Sequence, residues 1–84
     1  MLILTKHAHD KIAFHGLNPA WIEATITNPE HTDRDPRDAS LTRAWRRFPE
    51  LGGRILRVVF RPAGTDIVVV TVTFDRGARR WLPK

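Results

Sequence analysis

The chain has 84 residues, the size of one small domain; 42% of them are apolar and 27% are charged. This composition is that of an ordinary globular protein, and it excludes a disordered, collagen-like or low-complexity chain. The absence of cysteine excludes a disulfide framework, a thiolate metal site and a cysteine nucleophile. We therefore expect one domain over residues 1–84. We also expect a cytoplasmic protein with no membrane contact, because no apolar run approaches the ~20 residues of a membrane helix.

Positive charge is concentrated in the second half of the chain. Residues 1–40 hold four basic and six acidic side chains, whereas residues 41–84 hold ten basic and three acidic ones. Eleven of the fourteen basic residues are arginine, whose planar guanidinium group suits phosphate oxygens. A polyanion such as RNA is therefore the first partner to expect.

Start and stop signals predict a short strand followed by two helices. Residues 2–5 have strand character, and Thr5 resembles an N-cap for a helix over residues 6–14 that ends at Gly16. Asn18 and Pro19 repeat the start signal, and a second amphipathic helix follows until Asn28 and Pro29. The N-terminal part of the chain is therefore predicted to be mainly helical.

A polar loop and a meander of strands are predicted next. Residues 28–40 contain two prolines and no large apolar side chain, which indicates an exposed, mobile loop. Three strands follow over residues 41–48, 54–61 and 66–75, joined by short loops that contain glycine. The expected fold is α+β in the order β-α-α-β-β-β, with two N-terminal helices packed on a four-stranded, mostly antiparallel sheet. The basic tail after this adds a last turn or stays loose.

Alternation along the last two strands assigns side chains to faces. The predicted core positions are Leu56, Val58, Phe60, Val68, Val70, Val72 and Phe74. The opposite face mixes apolar side chains with Arg57, Arg61, Thr71 and Thr73. This second face is either half covered or the floor of a binding site.

Three titratable side chains share one stripe of the first helix. His7, Lys11 and His15 stand at i, i+4 and i+8. They are either proton-transfer groups or an ordinary solvated helix face. We expect no metal site, because His7 and His9 at i, i+2 point ~200° apart and no third ligand has suitable spacing.

Two arginine clusters each include a tryptophan. The first consists of Arg43, Arg46 and Arg47 around Trp45, and the second of Arg76, Arg79 and Arg80 before Trp81. Guanidinium and aromatic groups together can hold phosphates and stack bases. The alternatives are a charged edge strand with Trp45 packed inward and a solvated tail. The candidate nucleic-acid-binding residues are Arg43, Arg46, Arg61 and Arg76.

Several short motifs follow one another in an order that is typical of one family of small bacterial proteins. They are Lys6-His7-Ala8, Gly16-Leu17, Asn28-Pro29, Leu56-Arg57-Val58-Val59 and the stretch over residues 70–76. In this order the chain resembles the domain of unknown function 4258 family, whose fold is similar to that of the RelE/ParE-type toxins. The resemblance extends over nearly the whole chain.

This resemblance implies RNA cleavage without a metal ion or other cofactor. The catalytic positions that it implies are His7, Lys11, Arg57 and Thr71, with His15 on the same helix stripe. Arg57 would then face that stripe across the open side of the sheet. Similar sequences usually have Arg at the positions of Lys11 and His15, and often Tyr at the position of Thr73. This implies a weaker phosphate clamp and no phenolic group.

Three functional hypotheses follow. The first is a toxin-like endoribonuclease that acts on RNA at or near the ribosome and is held by an acidic antitoxin. The second is a non-catalytic module of the same fold that binds nucleic acid or protein. The third is a toxin that inhibits its target by binding, without cleaving RNA. A homo-oligomer is compatible with each of them.

Overall fold

The computed structural model describes residues 1–83, which form two α-helices, five strands and two short 3₁₀ helices. In chain order these are β1 (Leu2–Leu4), α1 (Lys6–His15), α2 (Pro19–Thr27), β2 (His31–Arg34), β3 (Thr42–Phe48), η1 (Pro49–Leu51), β4 (Arg54–Ala63), β5 (Asp66–Phe74) and η2 (Arg76–Arg80). Neither α1 nor α2, nor any other helix in this range, is long and apolar enough to cross a membrane.

The five strands form one mixed sheet in the order β1-β5-β4-β3-β2. The short β1 runs parallel to β5, and every other neighbouring pair is antiparallel. The predicted α+β class, the two helices and the meander of β3, β4 and β5 are confirmed. The prediction of four strands is wrong, because β2 adds a fifth strand at the edge of the sheet.

Strand β2 lies inside the segment that was predicted to be a loop. It has no apolar alternation; it pairs with its neighbour β3, and its His31 ring also lies against that of Trp81. His31 lies opposite Trp45, with ring centroids 5.4 Å apart, and Asp33 lies opposite Arg43. The Nε and Nη2 atoms of Arg43 each donate to a carboxylate oxygen of Asp33 at 2.7 Å. Cross-strand pairs of this kind stabilise a strand that its own residues would not specify.

Both α-helices begin and end where the local signals predict. The Thr5 hydroxyl accepts a hydrogen bond from the Ala8 amide at 3.1 Å and donates one to the Val70 carbonyl at 3.0 Å. Gly16 ends α1 with a left-handed φ of 63°, and the Asn18 side chain caps α2. Thr5 therefore both starts α1 and attaches it to β5.

The two helices cover one face of the sheet. The core between the helices and the sheet consists of Ala8, Leu17, Ile22, Phe48, Leu56, Val58, Val69 and Val72. Val68 is buried as predicted, but it pairs with Arg61 and lies on the face turned away from the helices. The prediction for Val70, which is only partly buried, is wrong, because a bulge interrupts the alternation of β5. Val59 pairs with Thr71 while Phe60 pairs with Val69, so Val70 has no partner on β4. The extra residue exchanges the two faces, and Val69 takes the core position.

The face turned away from the helices, here called the open face, is partly covered by residues 76–83, here called the C-terminal segment. Ala78 and Leu82 are buried against Trp45 and Ile55 in a second apolar cluster. The carboxylate of Asp75 accepts hydrogen bonds from Trp45 Nε1 at 2.9 Å and from the Ala78 amide at 3.2 Å. The part of the basic tail within residues 1–83 is therefore folded against the sheet.

We expect Asp33→Asn to lower the free energy of unfolding at neutral pH by about 0.5 to 1 kcal/mol, because the half-exposed ion pair with Arg43 is lost. The hydrogen bonds from Arg43 hold the pKa of Asp33 below its ordinary value of 3.8. This stabilisation is therefore present above pH 3.8 and disappears as the pH falls through the lower pKa of the folded state. Urea unfolding over a pH series measures it. Asp10→Asn, which breaks an exposed pair with Lys6, is the control, and equal losses in both variants would contradict a role for Asp33 in holding β2.

We expect Asp75→Ala to lower the free energy of unfolding by about 2 kcal/mol, because the Trp45 indole N–H and the Ala78 amide lose their acceptor. In a domain of this size that corresponds to a fall in melting temperature of roughly 10 °C. Asp66→Ala is the control, since the Asp66 carboxylate makes only an exposed pair with the N-terminal amine. A melting temperature equal to that of the unmodified protein would show that Asp75 does not anchor the C-terminal segment.

Candidate nucleic-acid interface

A groove with a volume of about 920 Å³, here called the arginine groove, opens where α1 and β5 end and β4 and η2 begin. Its lining residues are His15, Arg54, Ile55, Arg57, Thr73, Phe74, Asp75, Arg76 and Arg79. Four guanidinium groups and one imidazole thus surround a single carboxylate. A concave site with this excess of positive charge concentrates anions.

Arg57 is placed in the groove by the register of the sheet. It lies opposite Trp45 on β3 and Thr73 on β5, and all three project from the open face. Its Nη1 atom is 3.8 Å from an Asp75 carboxylate oxygen, and its Nε is buried without a hydrogen-bond partner among residues 1–83. Arg57 therefore has donor capacity that the described protein groups leave unused.

The other arginines of the groove reach it from two different elements. Arg54 starts β4, and its guanidinium carbon lies 3.6 Å from the centroid of the Phe74 ring. Stacking on an aromatic face holds a guanidinium group while leaving its edge free to donate hydrogen bonds. Arg76 and Arg79 belong to η2, whose first turn is capped by Asp75. The anchoring of the C-terminal segment thus also places two cations at the groove.

Carboxylates near the groove are few and already engaged. The two oxygens of Asp75 accept hydrogen bonds from the Trp45 indole and the Ala78 amide, and its side chain is only 20% exposed. Over residues 1–83, no group of three or more His, Cys, Asp or Glu is arranged to hold a metal ion. The chemistry available in the groove is that of arginine, histidine and threonine.

A smaller hollow of about 270 Å³ adjoins the groove and shares Arg57 and Asp75 with it. We call it the aromatic hollow; its lining residues are His31, Asp33, Arg43, Trp45, Arg57, Asp75 and Trp81. The Trp45 and Trp81 rings meet edge to face with centroids 4.9 Å apart, and the His31 ring lies 5.1 Å from that of Trp81. Arg57 therefore separates a cationic surface from an aromatic one.

The structure brings together only some of the residues that were predicted to be catalytic. Arg57 and His15 line the arginine groove with Thr73, whereas His7, Lys11 and Thr71 do not. The expectation that the whole helix stripe faces Arg57 across the open side of the sheet is wrong, because the helices pack on the opposite face. Of the three stripe residues, only His15 at the end of α1 reaches the groove that Arg57 lines. Thr71 shares the open face with Arg57 but lies opposite Val59, farther along β5 from the groove.

The four predicted nucleic-acid-binding arginines lie in four different environments. Arg76 lines the groove, and Arg43 lines the aromatic hollow with its guanidinium bound to Asp33. Arg46 lies on the helix side of the sheet, where its Nη1 donates to the Asn28 carbonyl at 2.8 Å. Arg61 is exposed on β4 and lines neither site.

Arg54 and the acceptor Asp75 were missed by the sequence analysis. Both lie at strand boundaries, Arg54 as the first residue of β4 and Asp75 just after β5. Residues at strand ends carry no alternation signal, so a face cannot be assigned to them from the sequence. The available signal was the excess of arginine in the second half of the chain, which indicates the charge but not where the side chains meet.

Comparison with models of known families matches residues 4–74 to the family described as Domain of unknown function (DUF4258). Comparisons with curated proteins and with solved structures find no match. The matched range runs from the last residue of β1 to the last residue of β5, so it includes both helices and four complete strands. The match covers most of the chain, and the protein therefore belongs to the DUF4258 family.

Proposed function

We propose that this protein binds RNA in the arginine groove and cleaves it without a metal ion, as a toxin-like endoribonuclease similar to the RelE/ParE-type toxins. The observation that carries the proposal is the convergence of Arg54, Arg57, Arg76 and Arg79 with His15 on one groove. Arginine donates paired hydrogen bonds to phosphate oxygens, and several such groups in one concave site suit a phosphodiester chain.

The proposed reaction uses the 2′-hydroxyl group of the RNA itself. His15 accepts the proton of that hydroxyl, and the 2′-oxygen attacks the adjacent phosphorus. The bond from phosphorus to the 5′-oxygen breaks, and the leaving oxygen takes a proton from water. The products are a 2′,3′-cyclic phosphate and a 5′-hydroxyl. Histidine suits the role of base near neutral pH, and Arg54 and Arg57 would stabilise the negative charge that develops on the phosphate oxygens.

A second candidate is a non-catalytic RNA-binding module with the same groove. It is favoured by one observation: of the histidines in residues 1–83, only His15 lines the groove, and it is exposed at the end of α1. Strong general acid–base catalysis needs a proton-transfer group that is held in place. Phosphate binding by the arginines does not depend on such a group.

We also propose the setting in which this activity operates. An RNA target at or near the ribosome places the protein in the cytoplasm of a bacterium. An acidic antitoxin segment that covers the arginine groove would block RNA through charge complementarity. A toxic effect in bacteria without RNA breakage would favour a toxin that acts by binding alone.

We expect Arg57→Ala to weaken binding of a short single-stranded RNA oligomer about 10-fold, because one charge-assisted phosphate contact is lost. Arg37→Ala removes the same charge from an exposed position that lines neither site, and it should change the affinity little. Titrations between about 50 and 200 mM salt should show affinity falling by orders of magnitude. Salt-independent binding, or equal losses in both variants, would contradict the groove as the phosphate site.

We expect His15→Ala to lower the cleavage rate by roughly 10²-fold or more while leaving RNA affinity nearly unchanged, because a proton acceptor acts mainly as the bonds change. His9→Ala, exposed on the same helix and outside the groove, is the control. Gel analysis of a labelled RNA measures cleavage. Loss of cleavage in His7→Ala instead would support the role that the family resemblance implies, and binding without cleavage by the unmodified protein would establish the second candidate.

A further inference from the structure

The geometry points to a nucleobase subsite in the aromatic hollow, where the base of a bound nucleotide stacks on the Trp81 ring while its phosphate lies in the arginine groove. The inference rests on the proposed binding of RNA, and it does not require cleavage. It assigns a role to His31 and Trp81, which line the hollow but do not line the groove.

The Trp81 side chain is exposed but packs against two other rings. It is 46% exposed, whereas Trp45 beneath it is 2% exposed and bonded through its indole nitrogen to Asp75. Trp81 meets Trp45 edge to face at an angle of 87° and His31 at 70°. Two neighbouring rings thus hold Trp81 while nearly half of its surface stays open. A ring held in this way loses little conformational freedom when a base stacks on it.

Residues other than Trp81 attach the C-terminal segment to the sheet. The segment is attached to the sheet by Ala78 and Leu82, which are 0% and 3% exposed. The Arg47 guanidinium also donates to the Pro83 carbonyl at 3.2 Å. These contacts attach the segment on both sides of Trp81. The exposed part of the Trp81 ring is therefore available at the surface for a ligand.

The position of the hollow relative to the groove fits a single nucleotide. Arg57 and Asp75 line both sites, so the hollow and the groove meet at these two side chains. The hollow, at about 270 Å³, is less than a third of the volume of the groove. A base in the hollow and its phosphate in the groove would therefore both contact Arg57, which combines a guanidinium contact with aromatic stacking.

The polar groups of the hollow predict tolerance of different bases. Both carboxylates are engaged, Asp33 by two hydrogen bonds from Arg43 and Asp75 by the Trp45 indole and the Ala78 amide. Neither carboxylate is free to recognise the donors of one particular base. Stacking accepts every base, because each has an aromatic face.

The test compares two oligomers of equal length and charge, a single-stranded RNA and an abasic ribose-phosphate chain. Fluorescence anisotropy measures the affinity of each at one salt concentration. We expect Trp81→Leu to weaken RNA binding roughly 10-fold and to leave the abasic chain nearly unaffected. Trp81→Phe, which keeps a stacking surface, should restore most of the RNA affinity. Phe14→Leu, which removes a ring that is 76% exposed on α1, is the matched control and should change neither affinity.

A second variant tests the hollow without changing any residue of the C-terminal segment. His31→Ala changes the same hollow from β2, and it should also weaken RNA binding selectively. Equal losses for both oligomers, or no loss in Trp81→Leu and His31→Ala, would overturn the subsite. A nucleoside monophosphate that binds as tightly as the RNA would overturn its assignment to an RNA chain.

The outcomes also separate this inference from the proposed function. Base-dependent binding without cleavage would leave the subsite standing and exclude the ribonuclease. Cleavage that is unaffected by the base at this position would leave the ribonuclease standing and exclude the subsite. If the unmodified protein binds neither oligomer, both proposals fail together.

Discussion

The carboxylate of Asp75 connects the parts of the molecule on which the candidate site depends. It accepts hydrogen bonds from the Trp45 indole on β3 and from the first turn of η2, and it lies 3.8 Å from the Arg57 guanidinium. One largely buried anion thus holds an aromatic ring and a chain segment together beside an arginine. Without it, the electrostatic repulsion among the surrounding arginines would have no nearby counter-charge. The site therefore combines a strongly cationic surface with one carboxylate that offsets part of this charge and anchors the C-terminal segment.

The two faces of the sheet have different roles. The helix side carries a continuous apolar core, to which Val69 and Val72 of β5 contribute, and Thr5 attaches α1 to the same strand. The open face carries arginine, aromatic and threonine side chains together with the C-terminal segment. Since consecutive residues of a strand point to opposite faces, β4 can stabilise the fold through Leu56 and present Arg57 next to it. Changes on the open face therefore need not disturb the main core.

The helix ends were predictable from the sequence because they depend on local interactions. Thr5, Asn18 and Gly16 mark the helix ends because each satisfies backbone groups only a few residues away. Strand β2 and the bulge at Val70 were not predictable in this way, since both depend on a partner strand. The same distinction applies to the site. Arg57 was identifiable as a candidate from its strand, whereas its grouping with His15 and the η2 arginines requires four elements to meet at one end of the sheet.

The family match ends at Phe74, whereas Asp75, two groove arginines and Trp81 all follow it. The part of the chain that carries the shared fold is thus distinct from the part that completes the candidate site. Insertions or substitutions after β5 would reshape the charge and the stacking surface while leaving every residue of the helix-side core unchanged. Variation in the segment that follows β5 can therefore alter the candidate site while the scaffold is kept constant.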